Sequence, residues 1–380
     1  MTKADRPIYL DHAATTPVDP RVRDLVMHYM DVEFGNAGSR THIYGQEAAK
    51  AVRKARKQMA AVVDARPEEV VFTSGATEAN NLAILGLQEY GSSSGKKHIL
   101  STQIEHKAVL EPLKYLATLG FDIELIPPLP TGAIDPSEIT KRLRSETLLV
   151  SIMHVNNETG VVQPIEEIAD GLRHSEILLH VDAAQGFGKD LKTLRNKRLD
   201  YISISGHKIY GPKGSGALIG RSNRKALQKL TPIFFGGSQE RSLRPGTLST
   251  QLICGLGLAA EILEKDNSNW IRACEKIQNQ IKSSLSDLPV TYYGTQKKKL
   301  PNILNFSLGT IPSEVLIMQM KNKYSFSNGS ACTSTNSAPS HVITAMAGHQ
   351  ASELACRISW SHKTKIDTNT LSADFRQLLM

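Results

Sequence analysis

No stretch of this sequence is long and apolar enough to cross a membrane as a helix. The first residues, Met1 to Pro7, contain no apolar run of the signal-peptide type. Together these absences lead us to expect a cytoplasmic chain with no membrane partner. Cysteine is scarce: there are four, at 254, 274, 332 and 356, and their spacing matches no metal site. In a reducing compartment they are expected as thiols rather than disulfides. The G-x-x-x-x-G-K-[ST] and G-x-G-x-x-G phosphate loops are both missing, which takes support from nucleotide-binding functions. No basic segment is interleaved with aromatics, so direct nucleic-acid binding is not expected. There is no internal repeat.

What is present is a chain of 380 residues, 40% hydrophobic and 22% charged, with room for two domains around large cores. The formal net charge is +8. Its short basic clusters, Arg53 to Lys57 and Lys297 to Lys299, are most simply solvated surface, yet the overall balance favours acidic partners.

Strand-like and helix-like segments alternate through the first two thirds. Leu148 to Met153 is a near-continuous apolar strand of the kind a doubly covered sheet needs. The pattern predicts a mostly parallel sheet with helices on both faces. From about Ile253 the texture changes. Two helices, about Gln251–Glu264 and Asn269–Leu285, and short strands near Val290 and Ile303 indicate a smaller α+β domain. We therefore expect a large domain over 16–252, and a small one combining 1–15 with 253–380.

Tyr201 to Ser205 is a strand that runs into Gly206-His207-Lys208. A lysine just past a strand's carboxyl end sits where open α/β sheets bind ligands. Partly desolvated, it can lose its proton and attack a carbonyl. Upstream, Ile177 to Asp182 is a second strand, ending on an acid. A lysine for the aldehyde and a carboxylate for the pyridinium nitrogen are what pyridoxal phosphate requires. Alone, the pair is weak, since strand-end lysines are more often solvated or ion-paired. Glu69 to Asn81 reads strand, tight turn, helix, and the first amides of that helix, with Thr77, can hold a phosphate. An ordinary capped helix has the same pattern. The segment Ser327 to Ser337 has no large apolar residue and should form a mobile surface loop, which would expose Cys332. Exposed thiols are a liability unless used. Cys254 and Cys274 fall on apolar-patterned helices and are expected in the core.

In combination these stretches resemble the group I cysteine desulfurases, in the class V aminotransferase branch of fold-type I pyridoxal-phosphate enzymes. The matching segments are Tyr9 to Pro17, Val71 to Glu78, Glu105 to Val109, Ile152 to Glu158, His180 to Gln185, Ser205 to Lys208, Arg244 to Thr247 and Gly329 to Ser334. The resemblance covers nearly the whole chain, in the expected order. It implies that Lys208 carries the cofactor and the Cα proton, that Asp182 pairs with the pyridinium nitrogen, and that Gln185 bonds the ring hydroxyl. His106 would stack on the ring. The phosphate would lie among Ala76, Thr77, Ser205 and His207, with Thr247 reaching in from a second subunit of a homodimer. Asn157 and Arg357 would bind the carboxylate of L-cysteine, and Cys332 would take the sulfur as a persulfide, leaving L-alanine.

The resemblance also implies a sulfur-acceptor protein, in iron–sulfur cluster assembly or in nucleic-acid sulfur modification such as tRNA thiolation or DNA phosphorothioation. Only a short tail follows Arg357, where housekeeping members typically carry a longer extension. That favours a dedicated acceptor, with nucleic-acid modification leading. Another class V aminotransferase or lyase, or a non-catalytic sulfur-relay partner, stays open as an alternative.

Overall fold

The computed structural model describes residues 6–329 and 339–380. Seven strands form the central sheet, in the spatial order Val70–Thr73, Gly216–Gly220, Tyr201–Ser205, Leu178–Asp182, Thr147–Met153, His98–Thr102 and Asp122–Ile126. Only Gly216–Gly220 runs against its neighbours; the other strands point the same way. The four strands from Gly216–Gly220 to Thr147–Met153 are buried at every position. Both faces are therefore covered, which accounts for their apolar sequences. Each fully buried Leu, Ile or Val there contributes roughly 1.5–3 kcal/mol. Among the described residues no helix is long and apolar enough to cross a membrane.

The Gly216–Gly220 strand is not legible in the sequence, where Tyr210 to Gly216 reads as a turn. Its first residue has to be glycine, because a Cβ there would come within 2.5 Å of Gly75 Cα and of Ile204 O. That close approach brings the Ser74–Thr77 turn against the end of the Tyr201–Ser205 strand.

The two helices expected after Gln251 are one, Thr250–Ser284. Asp266-Asn267-Ser268 has the composition of a helix break. The buried stripe Leu263, Trp270, Cys274, Ile277 and Ile281 continues across it at helical spacing, and tertiary packing wins. Asn267 is used rather than tolerated: its Nδ2 donates to Gly188 O at 2.8 Å and Lys189 O at 3.1 Å.

A three-stranded antiparallel sheet, ordered Cys356–Ser359, Ile303–Leu308, Val290–Tyr293, stands apart from the central one. The strand Ile8–Tyr9 pairs in parallel with Tyr324–Ser325. The segment expected as a surface loop, Ser327 to Ser337, thus follows closely on a strand, and its first residue, Ser327, is buried. Ser327 exchanges backbone hydrogen bonds with Arg357. From position 330 to 337 the expected loop, Cys332 included, lies outside the described residues.

Candidate active site

Adjacent strands of the central sheet end level with one another. Met153 lies opposite Asp182, and Asp182 opposite Ser203. Past these ends opens a cavity of about 610 Å³. Ala76, Thr77, His106, Asn157, Asp182, Gln185, Ser205, His207, Lys208 and Arg357 all line it, from segments spread over nearly three hundred positions. Thr247 does not line it and is exposed.

Lys208 closes the one-turn helix Gly206–Lys208 that follows its strand. Its Nζ donates to Ala13 O at 2.5 Å and Ala14 O at 2.7 Å. The segment that supplies these carbonyls is held in turn by Gln185 Nε2, which donates to Ala13 O at 2.7 Å, and by Thr16 Oγ1, which donates to His207 O. Burial lowers the pKa of His207 to about 4, with the cations Lys208, Lys213 and Lys189 acting in the same direction. His207 is therefore neutral at pH 7 and offers hydrogen bonds rather than charge.

Asp182 is held by two N–H donors: Ala184 N at 2.9 Å to Oδ1, and Asn80 Nδ2 at 2.7 Å to Oδ2. Asn80 is a functional residue the sequence did not reveal. The only signal is one fully buried amide among Ala79, Leu82, Ala83 and Ile84 on the helix Ala76–Leu85. Two residues before Asp182, His180 bridges Ser151 Oγ at 2.8 Å and Ser203 Oγ at 2.9 Å. Burial lowers its pKa to about 4.

The unfolded chain thus takes up a proton at His180 near pH 6.5 while the folded chain does not until about pH 4. The folded pKa is the lower one, so the unfolded state binds the extra proton and stability falls as pH drops through that window. Comparing melting temperatures, the pH profile of wild type should be steeper than that of His180→Gln between those limits. Parallel profiles would contradict the neutral assignment.

The helix Ala76–Leu85 opens at Gly75 with no side-chain cap, so its first amides face the cavity mouth unspent. Glu78, on the first turn, would oppose an anion there. Burial pushes its pKa up, but hydrogen bonds from Arg244 Nε (2.9 Å) and Ser74 N (2.8 Å) outweigh that and hold it low, so the carboxylate is spent on them. His106 caps the helix Lys107–Thr118, its Nδ1 accepting from Ala108 N at 3.1 Å. In the neutral ring this leaves the proton on Nε2.

Arg357 is 3% exposed. Its Nη1 donates to Asn157 O at 3.0 Å; its Nη2 donates to Asp11 Oδ1 at 2.7 Å and Ser327 Oγ at 2.9 Å. The turn that presents Asn157 is built by Asn156, whose Oδ1 accepts from the amides of Glu158 and Thr159, each at 2.9 Å.

The class-V aminotransferase family matches residues 8–368. This chain belongs to it. Within the family, the chain is 44% identical to "Cysteine desulfurase IscS" of Pectobacterium carotovorum over 343 residues, 90% of this chain and 84% of that protein. The solved structure of DndA from Streptomyces lividans is 46% identical, with a TM-score of 0.80 over 93% of this chain and 99% of that one. A structure titled "SspA in complex with cysteine" is 34% identical, with a TM-score of 0.82 over 94% of this chain and 100% of that one. The class-V enzyme is therefore of the cysteine desulfurase branch and depends on pyridoxal phosphate.

The residues present fit that group. Gln185 Oε1 and Asn80 Oδ1 are buried and accept no hydrogen bond among the described residues, which leaves polar atoms at the Asp182 end of the cavity unsatisfied. The uncapped helix that lines the same cavity supplies donors for a phosphate. Lys208 lines it too, with its ammonium on two carbonyls.

Proposed function

We propose that this class-V enzyme converts L-cysteine to L-alanine and retains the sulfur as a persulfide on Cys332. When bound, pyridoxal phosphate supplies the electron sink that acidifies the substrate Cα–H. Asp182, itself held by Asn80 and Ala184 N, would keep a proton on the pyridinium nitrogen. Gln185 would bond the ring hydroxyl and His106 would pack on the ring. The Ala76 and Thr77 amides, Ser205 and neutral His207 would hold the phosphate. Lys208 would anchor the group and carry the Cα proton. Arg357 and Asn157 fix the substrate carboxylate. The Cys332 thiolate then forms a bond to the substrate sulfur. The substrate Cβ–S bond breaks with its electron pair left on carbon, which is protonated to the methyl of alanine.

The observation that carries this reading is the convergence of Lys208, Asp182 and Arg357 on one cavity. The other cysteines support the choice of nucleophile: Cys254, Cys274 and Cys356 are buried, and burial pushes each thiol up to about 12. None of them supplies a thiolate at neutral pH. The test is product analysis. With L-cysteine and a reductant, the enzyme should release alanine and sulfide in equal amounts. Amino transfer to an added keto acid, without sulfide, would favour the aminotransferase alternative.

A homodimer completes the phosphate site in this proposal, with Thr247 of the partner subunit as its last donor. Exposed Met27, Met30, Phe34, Ile43 and Tyr44, with the Phe34 and Tyr44 rings stacked at 5.5 Å, and exposed Phe234 and Phe235 are the apolar surface a second copy would cover. Sedimentation should show a dimer; an active monomer with cofactor bound would contradict it.

The sulfur passes to an acceptor protein of iron–sulfur cluster assembly or of nucleic-acid sulfur modification. The net charge of +8 favours an acidic acceptor and faster encounter at low salt. Transfer of labelled sulfur from the enzyme in lysate should slow as salt rises. A salt-independent rate would remove the electrostatic part of this proposal.

A further inference from the structure

Asp11 belongs to the Tyr9–Pro17 motif, but nothing in the scheme above uses its side chain. It forms an ion pair with the guanidinium assigned to the substrate carboxylate: Arg357 Nη2 donates to Asp11 Oδ1 at 2.7 Å. Arg357 lines the cavity, whereas Asp11 does not. The backbones that carry the two side chains are tied to each other. Asp11 is bridged through its backbone to Ser359, Ala13 N donates to Ser359 Oγ at 2.8 Å, and Ser359 N donates to Leu10 O at 2.7 Å. Arg357 sits on the same strand as Ser359 and is tied through its backbone to Ser327.

We propose that Asp11 is an affinity brake: a resident carboxylate that shares Arg357 with the carboxylate of the amino acid and so weakens its hold. The proposal rests on the assignment of Arg357 to the substrate. A substrate carboxylate arriving at Arg357 finds a guanidinium already half neutralised by a second negative charge 2.7 Å from its Nη2. Two carboxylates on one cation leave a net negative charge in a buried place, which is unfavourable. The consequence falls on the product as much as on the substrate. L-alanine keeps the carboxylate of L-cysteine and loses only the sulfur, so this end of the site cannot tell them apart. A full-strength ion pair would retain the product. Asp11 limits that retention.

The test is calorimetric binding of L-alanine and of L-alaninamide, which has no carboxylate, to the cofactor-loaded enzyme. Asp11→Asn keeps a hydrogen-bond acceptor of the same shape and removes the charge. The dissociation constant for L-alanine is expected to fall about tenfold, with that for L-alaninamide unchanged within about twofold. Ser327→Ala, which removes a neutral contact to the same nitrogen and a 3.4 Å hydroxyl bond to Asp11 Oδ1 but leaves the carboxylate charge in place, should not tighten alanine. Asp11→Ser offers a second way to remove the charge if Asp11→Asn folds poorly. Unchanged or weaker alanine binding in the Asp11 variants, or equal tightening of alaninamide, would overturn the proposal. Arg357→Met separates it from the underlying assignment. If that variant binds alanine as wild type does, the role of Arg357 is wrong; if it binds weakly while Asp11→Asn does not tighten, only the brake is wrong.

Discussion

Replacing Lys208 by alanine is expected to abolish covalent retention of the cofactor and to lower alanine production by at least roughly 10³-fold. General acid–base catalysis alone contributes about 10²–10⁴, and this side chain is also the attachment point. The fold should survive, because Lys208 is only part-buried and its ammonium bonds the carbonyls of Ala13 and Ala14 at the cavity rather than the core. Borohydride treatment followed by peptide mapping should fix cofactor on Lys208 in wild type and on no lysine in the variant. Lys189 is the lysine to watch. It is 3% exposed, and burial lowers its pKa to about 7, helped by the charge of Lys208. Cofactor fixed on Lys189 in the wild type would transfer the central role to it.

Cys332→Ser is expected to keep cofactor content and cysteine binding while losing sulfide release, again by at least about 10³-fold. A serine hydroxyl is not ionised near neutrality and forms no stable sulfur adduct. Binding is preserved because every group placed around Arg357 and Asp182 belongs to other segments. Sulfide release that persists in this variant would mean that another thiol, or the substrate's own, does the work. Cys356 is the neighbour in sequence to Arg357, but it is fully buried with its thiol pushed up to about 12.

Much of this site was legible because its chemistry is written at strand ends. Asp182 and Lys208 each close an apolar run, and apolar runs locate strands whatever the rest of the fold does. The missed parts share a different cause: they depend on partners far away in the chain. Asn80 looks like one amide on a buried helix until Asp182, 102 positions on, is seen to accept from it. Asp11 looks like a turn residue until Arg357, 346 positions on, arrives. The single helix Thr250–Ser284 defeated local propensity because Leu263 and Trp270 are buried on either side of a sequence that favours a break. The strand Gly216–Gly220 was hidden by a glycine that local reasoning assigns to a turn, but which is required by the backbone of Gly75 lying against it.

One measurement tests the central claim most directly: a single turnover with L-cysteine labelled at sulfur, stopped without reductant and mapped by mass spectrometry. The account predicts one labelled sulfur atom on the peptide that contains Cys332, in equal amount to the alanine formed, and none on Cys254, Cys274 or Cys356. Alanine formed with the label on another cysteine, or with Cys332 left as an unmodified thiol and no sulfide released, would contradict it.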